Sequence, residues 1–153
     1  MSILGFVLVV FGSFGRIWAS LYIEGNKTKN LITAGPFSMV RNPLYFFSLI
    51  MLLGFSLALK AIYLPLALLL IFVLFHVPTI ANEERKLRKN HGDKFESYMK
   101  STPRLIPNIF KYKRPETGEK VLVKISRING VLIEVIGYLF LYTLIDIIYF
   151  ILD

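Results

Sequence analysis

Residues 31–59 read LITAGPFSMVRNPLYFFSLIMLLGFSLAL. A polar turn carrying Gly35-Pro36-Phe37 and Arg41-Asn42-Pro43-Leu44-Tyr45 runs without a linker into an apolar segment that stops before Lys60. Such a turn, joined to the foot of a membrane helix, is where a membrane enzyme can hold a charged cofactor.

Composition sets the class. The 153 residues are 55% hydrophobic and 14% aromatic, with mean hydropathy +0.59, above the roughly 45–50% apolar share of a soluble domain. An all-α, multi-pass integral membrane protein is predicted, as one domain over residues 1–153. The sequence has no cysteine, which excludes disulfides, thiolate metal ligands and a cysteine nucleophile and leaves the redox compartment undetermined. The N-terminal stretch lacks the basic start and small-residue cleavage site of a signal peptide and contains Arg16, so it is read as a retained first helix.

Four apolar segments can be drawn, at residues 2–23, 44–59, 62–80 and 131–152, given that a spanning helix needs about 20 apolar residues. The second and third are separated by little more than Lys60 and Ala61, which predicts a tight antiparallel helical hairpin. Pro65 falls in the first turn of the third segment and Pro78 near its end, where a missing amide is least costly or a kink is useful. Gly15 and Ala19 give the first helix a small-residue face for close packing. The C-terminal helix is expected over about residues 121–152.

If all four segments span, every lysine and arginine of the 18 except Arg16 and Lys60 falls on one side. The positive-inside rule makes that side cytoplasmic. The net charge of +8 is then mostly a topology signal, with attraction to anionic headgroups in addition. No soluble reading domain accompanies the charge, so a nucleic-acid partner is not expected. The minimal length suggests a prokaryotic cell membrane; oligomeric state is left open.

The polar stretch 82–120 begins Asn82-Glu83-Glu84-Arg85-Lys86-Leu87-Arg88 and reads as a helix leaving the membrane, with Glu84 and Arg88 spaced for an ion pair. Gly92 should end or bend it, and Phe95 and Tyr98 share a face beyond it. Two prolines, Pro103 and Pro107, predict an extended return, and 111–120 reads as a mobile charged connection. Neither a Rossmann nor a P-loop motif is present, because the glycines near Gly12 lie inside an apolar helix. His76 and His91 have no partner at metal-ligand spacing, so no metal site is expected.

These residues carry a specific resemblance. Gly15-Arg16-x-Trp18-Ala19, Gly35-Pro36-Phe37, Arg41-Asn42-Pro43-x-Tyr45, Glu83-Glu84-x-x-Leu87, His91-Gly92-x-x-Phe95-x-x-Tyr98 and Pro103-Arg104-x-Ile106-Pro107 occur in order between about residues 12 and 107. Together they resemble the isoprenylcysteine carboxyl methyltransferase family, which is itself similar to phospholipid methyltransferases. The resemblance implies a membrane methyltransferase that uses S-adenosylmethionine at its cytoplasmic face and reaches a lipophilic acceptor, a small molecule or lipidated substrate, from the bilayer. It places Arg41, Asn42, Tyr45, Glu83, Glu84 and Arg104 at the cofactor, the glutamates toward its ammonium or ribose hydroxyls and Arg104 toward its carboxylate. No catalytic residue is assigned. Where the family commonly has His, this chain has Asn42, which cannot titrate near neutrality and so cannot be a general base. That favours a carboxylate acceptor of the isoprenylcysteine type over a phospholipid amine, which must lose a proton.

Plainer readings stand beside these. Arg41 could snorkel to headgroups, Glu83 and Glu84 could form a solvated face, Arg104 could serve topology alone, and Tyr45, Phe95 and Tyr98 could be interfacial anchors. On such a reading the chain is a non-catalytic membrane scaffold without cofactor affinity. Arg16, Glu134 and Asp146 lie within apolar segments, where a charge costs about 2.5–3.5 kcal/mol on insertion scales, so functional placement is the first hypothesis for each. Arg16 is near enough to the cytoplasmic end to snorkel, and Glu134 near enough to sit at the headgroups.

Overall fold

The computed structural model describes residues 3–24, 31–59, 63–115 and 125–152. They form α1 (Ile3–Glu24), the single turn α2 (Pro36–Met39), α3 (Pro43–Ala58), α4 (Leu64–His91), α5 (Asp93–Ser101), a 3-10 turn at Ile109–Lys111, and α6 (Ile125–Leu152). No β-strand occurs among the described residues, and the only bridge joins Gly35 to Lys113. The all-helical architecture is as the sequence predicts.

Three helices contain stretches long and apolar enough to cross a membrane, Ile3–Ile23, Leu64–His91 and Asn129–Ile148. The fourth, α3, has 16 residues and is therefore about 24 Å long, shorter than the hydrocarbon core of about 30 Å. Its packing explains how a short helix is held. A Cβ added to Gly5 would lie 2.7 Å from Gly54 O, and one added to Gly54 would lie 2.7 Å from Gly5 O, so α1 and α3 meet backbone to backbone. Val9 lies against Gly54 in the same seam, Met51 and Phe47 cover Gly12 and Gly15, and Ala19 further along α1 is fully buried. The small-residue face expected at Gly15 and Ala19 thus extends along α1 to Gly5. Close approach of this kind drives helix association where lipid competes equally for apolar side chains.

α6 docks on α1 and α3 through Tyr142, which is fully buried with its ring 5.7 Å from Phe6 and 5.9 Å from Phe55. α4 packs on α3, burying Phe72 and Ile80. The outward faces of α4 and α6 expose Leu70, Leu74, Phe75, Ile133, Ile136 and Phe140, the pattern of helices solvated by lipid.

Four sequence expectations are corrected in detail. The third segment does not stop near residue 80: α4 continues through Pro78 to His91, so the polar helix beginning at Asn82 is its C-terminal end. Gly92, at φ 49°, ends it, in a conformation that side chains rarely adopt. Glu84 does not pair with Arg88; it faces Arg41 and Arg104, and Arg88 pairs with Glu96 at 3.0 Å. Residues 111–115 are docked, not mobile: Gly35 N donates to Lys113 O at 2.8 Å, Lys113 N donates to Ser38 Oγ at 2.8 Å, and Lys111 Nζ donates to Ser101 O. Arg16 does not snorkel, because it donates to Glu134 Oε2 at 2.8 Å and to Ser48 Oγ at 2.6 Å. The hairpin connection with Lys60, the loop lysines Lys27 and Lys29, and residues 116–120 lie outside the described residues.

Candidate functional site

The turn that opens the sequence reading is held rigidly. Gly35, at φ 59°, reverses the chain ahead of α2, and a Cβ there would overlap the ring of Tyr22 on α1. Ser38 Oγ donates to Gly35 O at 2.6 Å, and Arg41 N donates to Pro103 O at 2.8 Å, tying the turn to the extended segment after α5. Asn108 N donates to Met39 O at 2.9 Å. Pro43 then begins α3, and Arg41, Asn42 and Tyr45 reach Glu83 and Glu84 in the polar half of α4.

There Glu84 is the hub of a half-hidden network. Arg41 Nη1 lies 3.5 Å from its Oε1, Arg104 Nε 3.2 Å from its Oε2, and Asn42 Nδ2 donates to Oε1 at 3.1 Å and to Arg104 O at 3.0 Å. The side chain of Glu84 is 14% exposed. Glu83, one residue earlier, points elsewhere and accepts a hydrogen bond from Tyr45 OH at 3.1 Å. Tyr98, buried beneath the turn, donates to Phe37 O at 2.6 Å. Burial pushes the Tyr98 phenol well above its ordinary value; Arg41 pulls it down in part, and Glu84 adds to the rise.

A cavity of about 240 Å³ opens above this network, with Arg41, Asn42, Tyr45 and Glu83 on its wall and Phe37, Leu87 and Tyr98 among its other contacts. Four of the six site residues named from sequence therefore line one cavity. The other two, Glu84 and Arg104, are absent from its wall and brace it from behind. Arg41 Nε is buried with no hydrogen-bond partner, a buried donor left unmet in a residue that lines the cavity. Asn90 and His91 also line it. The helical spacing of Glu83, Leu87, Asn90 and His91 was the available signal that they share a face.

Arg16 and Glu134, charges that the sequence places within apolar segments, belong to a second constellation deeper in the bundle, whose other members the sequence did not mark. A cavity of about 620 Å³ shares Tyr45, Glu83, Leu44, Leu87 and Ile23 with the first and adds Arg16, Ser48 and His76. Those last three also line a third cavity of about 350 Å³, bounded by Glu134 and Tyr138 of α6. Tyr138 OH donates to Glu134 Oε1 at 3.2 Å. The three spaces thus form a series running from the polar turn into the helix bundle, with Tyr45 and Glu83 lining both of the first two.

Compared with known proteins, residues 1–94 match the phospholipid methyltransferase family. The chain is 33% identical over 113 residues to a nickel-cobalt-cadmium resistance protein, NccN, of Alcaligenes xylosoxydans xylosoxydans, covering 74% of this chain and 53% of that protein. It is also 33% identical over 114 residues to a cobalt-zinc-cadmium resistance protein, CzcN, of Cupriavidus metallidurans, covering 74% and 52%. The chain therefore spans about half the length of these curated relatives. No solved structure matches it. Among the described residues, no group of three or more His, Asp or Glu side chains is placed to hold a metal ion.

Proposed function

The chain belongs to the phospholipid methyltransferase family, and from that premise we propose that it transfers a methyl group from S-adenosylmethionine to a lipophilic acceptor at the cytoplasmic face of a membrane. The observation that carries this reading is the first cavity, whose wall carries both a guanidinium, Arg41, and a carboxylate, Glu83, with apolar Phe37 and Leu87 alongside. A cofactor with an amino-acid end and an aromatic base suits that donor set: Arg41 would hold its carboxylate, Glu83 its ammonium, and the apolar wall its ring. When bound, the sulfonium supplies an electrophilic methyl group.

The residues themselves do the positioning. Glu84 fixes Arg41, Asn42 and Arg104 so that the cavity wall keeps its shape, and Tyr45 holds the Glu83 carboxylate toward the cavity. Direct displacement needs aligned partners and a shielded site more than covalent participation by the protein. The second and third cavities, reached from the apolar bundle, suit an acceptor that partitions into lipid.

Two acceptor classes remain from the sequence, a carboxylate of the isoprenylcysteine type and a phospholipid amine. Family membership favours the amine, and the objection that Asn42 cannot act as a base loses force because its amide is engaged by Glu84 and Arg104. Membrane vesicles carrying the protein and supplied with methyl-labelled S-adenosylmethionine should yield lipid label that survives mild base, as an N-methyl group does and a methyl ester does not. Base-labile label would return the acceptor to the carboxylate class, and unlabelled lipid would leave the non-catalytic scaffold as the better account.

A further inference from the structure

We propose that His76 is the proton acceptor of the reaction, taking the proton that an amine-headed lipid must lose before its nitrogen can attack; this rests on the reading above. His76 lies on the wall shared by the second and third cavities, on the membrane side of Tyr45 and Glu83. Its ring is stacked on Phe72 at 4.3 Å with an interplanar angle of 9° and meets the Tyr45 ring edge-on at 5.5 Å. Its orientation is therefore set by two aromatic neighbours, one of which also borders the first cavity.

The tautomer follows from a single contact. His76 Nδ1 lies 3.2 Å from Phe72 O, and a carbonyl oxygen can only accept, so the proton of the neutral ring sits on Nδ1. Nε2 then keeps its lone pair and is the basic atom. The surrounding charged and titratable groups are Arg16 on α1, Tyr45 on α3, Glu134 and Tyr138 on α6, and Glu83 and Lys86 on its own helix. None serves as well. Arg16 and Glu134 are paired to each other, Tyr138 donates to Glu134, Tyr45 and Glu83 share a hydrogen bond, and Lys86 is exposed. His91 lines only the first cavity, and fifteen residues along a helix place it about 22 Å nearer the cytoplasm.

The chemistry balances. An N–H bond of the acceptor's ammonium breaks and its proton passes to Nε2. The freed nitrogen lone pair forms the new N–CH3 bond while the carbon–sulfur bond of the sulfonium breaks, its electron pair staying on sulfur. The imidazolium returns its proton to water through the second cavity, whose wall reaches Lys86. General-base help of this kind is worth about 10²–10⁴-fold in rate.

The test uses the full chain in detergent and in phosphatidylethanolamine vesicles, as wild type, His76→Gln and His76→Asn. Binding of S-adenosylhomocysteine within about twofold of wild type checks that each variant is folded. Wild-type methylation of phosphatidylethanolamine should rise with pH to a plateau, and both variants should lose that inflection and about 100-fold or more of the plateau rate. Independently of turnover, histidine ¹⁵N resonances should show His76 with its proton on Nδ1, and Nε2 should shift on addition of a short-chain phosphatidylethanolamine. Variants with unchanged rate and pH profile, a proton found on Nε2, or wild-type methylation confined to an S-farnesylated N-acetylcysteine would each overturn the assignment. A folded wild type that binds no S-adenosylhomocysteine defeats the underlying reading instead.

Discussion

Glu83 and Glu84 are neighbours with different tasks, because a helix turns about 100° per residue and aims them at different surroundings. Glu84 holds Arg41, Asn42 and Arg104 at 14% exposure, so Glu84→Ala should destabilise the protein by about 3 kcal/mol, as breaking a buried ion pair does. Glu83→Gln should change stability by less than about 1 kcal/mol, since its amide oxygen can still accept the exposed hydrogen bond from Tyr45 OH; denaturation of both variants in detergent separates them. Tyr98 gives a pH signature. Its phenol is raised in the folded state, so the stability it contributes is intact below its unfolded value near 10 and is lost as pH rises through the higher folded value. Wild-type stability should therefore fall in strong alkali, and Tyr98→Phe should flatten that fall while costing about 1–2 kcal/mol near neutrality through the lost bond to Phe37 O. An alkaline fall as steep in the variant as in wild type would remove Tyr98 as its cause. The residue types of this site were legible as an ordered set of motifs. The division of labour between adjacent glutamates was not, because it depends on which side chains arrive from residues 41 and 104.

At the scale of elements, the seam between α1 and α3 sets how accurately the turn before Pro43 meets the rest of the site. Gly54→Ala forces a methyl group toward Gly5 O and should cost about 1–3 kcal/mol. Gly137→Ala meets nothing within 4 Å and should be neutral or stabilising by up to about 1 kcal/mol, because alanine favours a helix over glycine; thermal unfolding in detergent of the two variants reads the contrast. The helices themselves were legible because apolar runs of this length leave few alternatives. Pro78 misled the boundary of α4, since a proline that would break a soluble helix is accommodated within a membrane one. The pairing of Arg16 with Glu134 was beyond reach of spacing arguments, as it joins residues 118 apart. The docking of Lys113 beside Gly35 escaped for the same reason: a charged, proline-flanked stretch looks solvated until the edge that receives it is known.

Across the whole molecule, a methyltransferase fed from the cytoplasm must have the turn, the end of α4 and α5 all facing that side, where S-adenosylmethionine is dissolved. The chain has no cysteine, so single cysteines report sidedness cleanly. Tyr63→Cys should react with a membrane-impermeant maleimide in intact cells, and Lys100→Cys only after permeabilisation; the opposite pattern would invert the orientation drawn from the basic residues. The most direct test of the central claim is calorimetric titration of the detergent-purified protein with S-adenosylhomocysteine, beside Glu83→Gln. Wild type should bind saturably, and the variant about 10–100-fold more weakly through loss of a charged hydrogen bond worth about 1.5–3 kcal/mol. A folded wild type that shows no binding, or a variant that binds as tightly, would contradict that claim.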